Sequence, residues 1–110
     1  MTKIEILKKN GRIVKYKATG HAEYANHGED IVCAAISTNL QFPLAGLTEI
    51  LGLIPKFEIS DGNLEVDIRG LDLQNKDREV SILLESMLLM LKELTKEYPK
   101  YLKLVEKEEN

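Results

Sequence analysis

The sequence predicts an α+β fold, a two-layer sandwich in which two long helices pack on one antiparallel sheet. Two stretches alternate apolar with charged residues around a turn dipeptide, and each is followed by a stretch with apolar residues at helical spacing. Alternation is typical of a half-buried strand, and a spacing of three or four residues is typical of one helical face. The predicted element order is ββαββα, and one sheet lets each element bury its apolar face.

The first predicted hairpin turns at Asn10-Gly11, a dipeptide that suits a tight turn with positive φ. Its two strands carry the alternating apolar residues Ile4, Ile6, Val14, Tyr16 and Ala18. The stretch from Gly20 to Asp30 that follows is polar and has no apolar periodicity, which predicts a loop. We expect this loop to be mobile until a bound ligand orders it.

The first predicted helix begins after Asp30, a residue suited to the N-cap position. Its apolar face consists of Ile36, Leu40, Leu44, Leu47, Leu51 and Ile54. Pro43 interrupts this pattern, and a proline inside a helix removes one backbone hydrogen bond. The sequence therefore predicts a kink or a local break between Leu40 and Pro43.

The second half of the chain repeats the pattern with a hairpin around Asp61-Gly62 and a second long helix that Pro99 should end. The strands of this hairpin carry Phe57, Ile59, Leu64, Val66 and Ile68, and the helix carries Val80, Leu84, Met87, Leu91, Leu94 and Tyr98. For residues 100–110 we expect either a short helix or a frayed tail.

The composition narrows the class of protein. A chain of 110 residues predicts a single domain, 1–110, and a net charge of −3 argues against broad nucleic-acid binding. We find no leader pattern and no apolar run long enough to span a bilayer, so we expect a cytoplasmic protein without a membrane partner. One cysteine and two histidines provide no disulfide and no recognisable zinc spacing, and we expect neither a metal nor another cofactor.

The segment from residue 20 to residue 37 carries the residues with candidate chemistry. Cys33 falls in the first turn of the predicted helix, where unpaired amides and the positive end of the helix dipole favour a thiolate and can bind an oxyanion. His21 ends the second strand and can take the thiol proton across the loop. Ser37, one turn after Cys33, can orient a substrate group or the histidine, and Asp30 is a candidate third member of the site.

Each of these residues also has a structural interpretation. A lone cysteine beside small apolar residues is more often a buried core residue than a nucleophile. A histidine at a strand end is more often an exposed polar residue, Asp30 more often a cap, and Ser37 more often a helix residue that bonds its own backbone. Taken alone, these residues therefore favour the structural interpretation over a site with a cysteine nucleophile.

The motif Gly20-His21-Ala22, followed by the block from Gly28 to Ala35 and then Ser37, resembles the ribosomal-processing cysteine protease family, formerly a domain of unknown function. The resemblance implies a catalytic dyad of His21 and Cys33, with Asp30 and Ser37 in supporting roles. It also implies a cysteine endopeptidase that removes a short N-terminal extension from a bacterial large-subunit ribosomal protein, acts as a homodimer in the cytoplasm and requires no direct nucleic-acid contact.

Two other functions remain open at this point. One is a non-catalytic ribosome-assembly or RNA-binding module that uses the basic first hairpin, although the chain has only four Tyr and two Phe to provide stacking surfaces. The other is a structural homodimer with an inert cysteine, which the reactivity of the thiol would distinguish from an enzyme.

Overall fold

The structure, a computed structural model, describes residues 1–20 and 29–109, with the backbone alone at residues 29 and 30. Its elements alternate between hairpins and helices along the chain. In order they are β1 (Thr2–Lys9), β2 (Arg12–Thr19), α1 (Glu29–Ala45), a π-helical turn (Gly46–Ile50), β3 (Lys56–Ser60), β4 (Asn63–Asp67), α2 (Asp77–Glu97) and β5 (Leu102–Glu108). The predicted α+β class and both predicted hairpins are confirmed.

The sheet has the strand order β3-β4-β2-β1-β5. The first hairpin turns where Asn10 and Gly11 have φ values of 53° and 77°, the positive values that their types favour. Apolar residues opposite each other in register, such as Tyr16 and Val66, point to one face of the sheet and are buried there. Both helices contribute to the same core on that face, with Val32, Ile36, Leu40, Leu44 and Leu47 from the α1 side and Val80, Leu84, Met87, Leu88 and Leu91 from α2.

The expectation of a short helix or a frayed tail after residue 100 is wrong, because this segment forms strand β5. It lies parallel to β1, so the sheet is mixed rather than wholly antiparallel. Leu102 is buried and Leu104 packs against the core, while charged residues occupy most of the rest of the strand. Charged residues on an edge strand discourage pairing with other chains. In this segment they also interrupt the alternation of apolar and polar residues that predicts a strand.

The predicted break between Leu40 and Pro43 is absent, since α1 is continuous to Ala45 and the irregular π-helical turn follows it. Side-chain hydrogen bonds hold α1 beside the proline. The Tyr16 hydroxyl donates to the carbonyl of Leu40 at 2.7 Å, and the Asn39 amide donates to the carbonyl of Met87 at 3.2 Å. Burial raises the pKa of Tyr16 above its ordinary value, so the phenol remains a protonated donor.

One helical stretch among the described residues, Ile31–Ile50, is long and apolar enough to cross a membrane by length and composition alone. This corrects the expectation that no segment is long and apolar enough. Polar residues interrupt the apolar run, but the mean hydropathy of the whole stretch remains high. A core helix of a soluble protein passes the same test, and this stretch supplies Val32, Ile36, Leu40 and Leu47 to the core. We therefore interpret it as a core helix.

Candidate active site

Cys33 lies at the fifth position of α1, half-buried, on the wall of a cleft of about 250 Å³. The helix forms one side of this cleft. The other side comes from the ends of several strands, including Gly20 after β2, Ile59 at the end of β3, and the turn from Ser60 to Asn63. The cysteine therefore faces a space bounded by segments far apart in the sequence, and it is not enclosed in the core.

Ser37 lies in the same cleft, one helical turn after Cys33. Its Oγ accepts a hydrogen bond from Nε2 of Gln41 at 2.7 Å, and Gln41 also lines the cleft. Because the amide supplies the proton of this bond, the Ser37 hydroxyl keeps its own proton for another acceptor. Sequence reasoning missed Gln41, although the spacing of four residues between 33, 37 and 41 places all three on one helical face.

Asp30 is not the N-cap that the sequence suggested, because α1 begins at Glu29 and Asp30 is its second residue. Counted from Glu29, Cys33 is the first residue with a helical carbonyl four positions before it. Its own amide is thus positioned to bond within the helix, and the unpaired amides of the helix start precede it. This corrects the expectation that Cys33 lies among the unpaired amides of the first turn, which can bind an oxyanion. The side chain of Asp30 lies outside the described part of the chain.

His21 and His27 also lie outside the described residues, as does most of the loop predicted from Gly20 to Asp30. Gly20, which is covalently bonded to His21, is described and lines the cleft. Its amide donates to the carbonyl of Gly62 at 2.9 Å, which fixes the end of β2 against the β3–β4 turn. Gly20, the residue before His21 in the sequence, therefore lies at the rim of the cleft that contains Cys33.

Replacing Gly20 with Ala is expected to destabilise this rim. Gly20 has a φ of 90°, and a Cβ atom there would lie 2.5 Å from the carbonyl oxygen of Met1. Left-handed backbone strain costs about 1–2 kcal/mol in a residue with a Cβ, and this contact adds to it. Gly11 is the matched control, since its φ is 77° but a Cβ atom there would meet no residue beyond its chain neighbours within 4 Å.

Calorimetry on Gly20→Ala and Gly11→Ala separates the backbone strain from the close approach to Met1. We expect a larger fall in melting temperature for Gly20→Ala than for Gly11→Ala. Equal effects in both variants would show that the close approach to Met1 is unimportant.

Comparisons with known proteins agree with this architecture. Residues 1–103 match the sequence profile of the family described as Cysteine protease Prp. The ribosomal processing cysteine protease Prp of Staphylococcus aureus (strain NCTC 8325 / PS 47) is 30% identical over 97 residues, which cover 86% of this chain and 87% of that protein. The protein of the same name from Mycoplasma pneumoniae is 32% identical over 92 residues, covering 80% and 82%.

Solved structures show the same fold. SMU.848 from Streptococcus mutans superposes with a TM-score of 0.84 at 24% identity, covering 99% of this chain and 96% of that one. The Prp protease of S. aureus in complex with a substrate peptide gives 0.82 at 24% identity, covering 97% and 100%. The family profile and the relatives together define a cysteine protease, a hydrolase of peptide bonds. The chain belongs to the Cysteine protease Prp family.

Proposed function

We propose that this protease removes a short N-terminal extension from a bacterial large-subunit ribosomal protein, with Cys33 as nucleophile and His21 as general base. One observation carries the proposal: the single cysteine of the chain lines a cleft that also contains Gly20, the residue bonded to His21. The curated relatives are named ribosomal processing proteases, and the S. aureus relative was solved with a substrate peptide. Both names support a peptide substrate from the ribosome.

The reaction divides into two steps. His21 takes the proton of the Cys33 thiol, and the sulfur attacks the carbonyl carbon of the scissile bond. The tetrahedral intermediate collapses to a thioester while the protonated histidine gives its proton to the leaving amine. Water, activated by His21, then hydrolyses the thioester and regenerates the thiol. Ser37 supports these steps by donating its hydroxyl proton to a substrate carbonyl, and Asp30 supports the histidine.

The most direct test is incubation of the protein with the extended ribosomal protein, followed by intact-mass analysis. We expect the extended form to lose one N-terminal peptide and the trimmed form to keep its mass. An extended protein that remains intact, under conditions where the enzyme is folded, would contradict the proposed substrate.

The homodimer is a further part of the proposal. Exposed apolar side chains on the two helices, Phe42 on α1 and Met90 on α2, line a groove of about 540 Å³ together with Leu94. A second copy of the chain would cover this surface, and sedimentation velocity measures whether it does. We also place the enzyme in the cytoplasm, where ribosomal proteins are made.

The RNA-binding alternative is not favoured, because acidic partners neutralise much of the basic first hairpin. A nucleic-acid surface needs lysines available to phosphate. Here they pair with glutamates of the same sheet: Lys3 with Glu5 at 3.5 Å, Lys8 with Glu106 at 3.3 Å, and Lys15 with Glu65 at 3.0 Å.

A further inference from the structure

The hydrogen bond between Gln41 and Ser37 determines how the Ser37 hydroxyl can be used. Nε2 of Gln41 donates to Oγ of Ser37 at 2.7 Å, and both residues line the cleft that contains Cys33. A hydroxyl group has one proton to donate and can accept at its oxygen. Gln41 therefore occupies an acceptor position of Ser37 and leaves the donor proton for another group.

The helix backbone is the usual acceptor for such a proton, because a hydroxyl within a helix can donate to the carbonyl four residues before it. Thr48 and Thr95 form this bond, at 3.0 Å and 2.8 Å. Ser37 differs from both: within the described part of the chain its hydroxyl donates to no acceptor, and its one side-chain bond is the bond it accepts from Gln41. The Ser37 proton is therefore not used by the carbonyl of Cys33.

A peptide bound in the cleft changes the surroundings of this pair. Ser37 is half-buried and Gln41 is exposed, so water can reach both side chains in the free protein. A bound peptide excludes water from the cleft, and a polar group left there without a partner weakens binding. Since Gln41 already bonds the Ser37 oxygen, the partner that the hydroxyl still needs is an acceptor, such as a carbonyl of the peptide.

We propose that Gln41 is a positioning residue that acts through Ser37, because its amide holds the Ser37 oxygen so that the hydroxyl proton is directed to a carbonyl of the bound peptide. This inference rests on the supporting role of Ser37 in the proposed function and adds the group that orients the hydroxyl. The role requires a donor at position 41. An ionised glutamate there has the shape of glutamine but only acceptors, and it would take the Ser37 proton away from the peptide.

Variants that keep the size of the side chain and change its hydrogen bonding test this role. Gln41→Met removes the donor, and Gln41→Glu replaces it with an acceptor. Each is expected to lower kcat/KM about fivefold or more, the effect of losing one hydrogen bond. The substrate is a peptide that the wild type cuts, selected from peptides prepared from a whole proteome. A role in packing alone predicts full activity for Gln41→Glu, because the two side chains have the same shape.

Ser37→Ala distinguishes action through Ser37 from a direct contact between Gln41 and the peptide. Alone, Ser37→Ala is expected to lower kcat/KM at least as much as Gln41→Met does. In the Ser37→Ala background, neither Gln41 variant is expected to cause a further loss, since the hydroxyl on which Gln41 acts is absent. The added charge of Gln41→Glu is present in both backgrounds, so the comparison removes its direct effect. Equal losses with and without the Ser37 hydroxyl would overturn the inference.

The other glutamine of the chain, Gln74, provides the matched control. It is exposed and does not line the cleft. We therefore expect Gln74→Met and Gln74→Glu to cleave the same peptide with the kcat/KM of the wild type. Full activity in both Gln41 variants as well would contradict the positioning role.

The choice of substrate separates this inference from the proposed function. The selected peptide is compared with a peptide that spans the junction between the extension and the mature ribosomal protein. A wild type that cuts the selected peptide but not the junction peptide contradicts the proposed substrate, while the Ser37→Ala comparison still decides the role of Gln41. Full activity in Ser37→Ala contradicts the supporting role of Ser37 and the inference together, and so does a wild type that cuts no peptide.

Discussion

Replacing Cys33 with Ala or Ser is expected to abolish cleavage of the extended ribosomal protein and to leave the fold intact. Cys33 is the only cysteine, so no other thiol can replace it as nucleophile. Loss of a nucleophile that acts together with a base lowers turnover by as much as about 10⁶-fold. The residue is half-buried at the cleft wall, and either replacement is small enough to be accommodated there.

Intact-mass analysis of the substrate measures the loss of cleavage, and calorimetry checks that the variants remain folded. Ser86→Ala, an exposed position on α2, provides a control in which cleavage should be unchanged. Iodoacetamide gives an independent measurement, because any adduct on a cysteine must be on Cys33, and labelling should inactivate the wild type in proportion. Cleavage at the parental rate by pure Cys33→Ala would show that another residue is the nucleophile.

Local signals made most of the fold predictable. Asn10-Gly11 and Asp61-Gly62 mark turns by their own backbone preferences, and the apolar spacing of α2 continues unbroken to the stop at Pro99. Strand β5 was missed because its place beside β1 depends on a pairing between residues about a hundred positions apart. A short, charged segment shows no such pairing in its own pattern.

In the candidate site, too, local patterns predict some residues, whereas long-range strand pairing determines the position of others. Cys33 and Ser37 are one helical turn apart, so helical spacing alone predicted that they share a face, and both line the cleft. The same four-residue spacing also predicts that Gln41 lies on this face of the helix. Ile59 and Gly62 were not, because their position opposite α1 follows from the sheet order and not from any local motif. The catalytic role of each of these four residues stays a prediction that mutagenesis tests: Cys33, His21, Asp30 and Ser37.

Replacing His21 with Ala is expected to lower the cleavage rate about 10²- to 10⁴-fold, the usual contribution of an acid–base group. Without a base no group takes the proton of the Cys33 thiol during the attack, and the leaving amine has no donor. Acylation should therefore slow, and so should the reaction of the thiol with iodoacetamide. Added imidazole is expected to restore part of the activity, because it supplies the missing base from solution.

His27→Ala is the matched control, since it removes the only other histidine of the chain. We expect this variant to cleave at close to the parental rate and to label normally with iodoacetamide. The measurement to compare between the two variants is the single-turnover rate with a peptide that spans the junction between the extension and the mature ribosomal protein. This rate isolates acylation from product release. Unchanged acylation in His21→Ala, together with a large loss in His27→Ala, would transfer the role of base from the first histidine to the second.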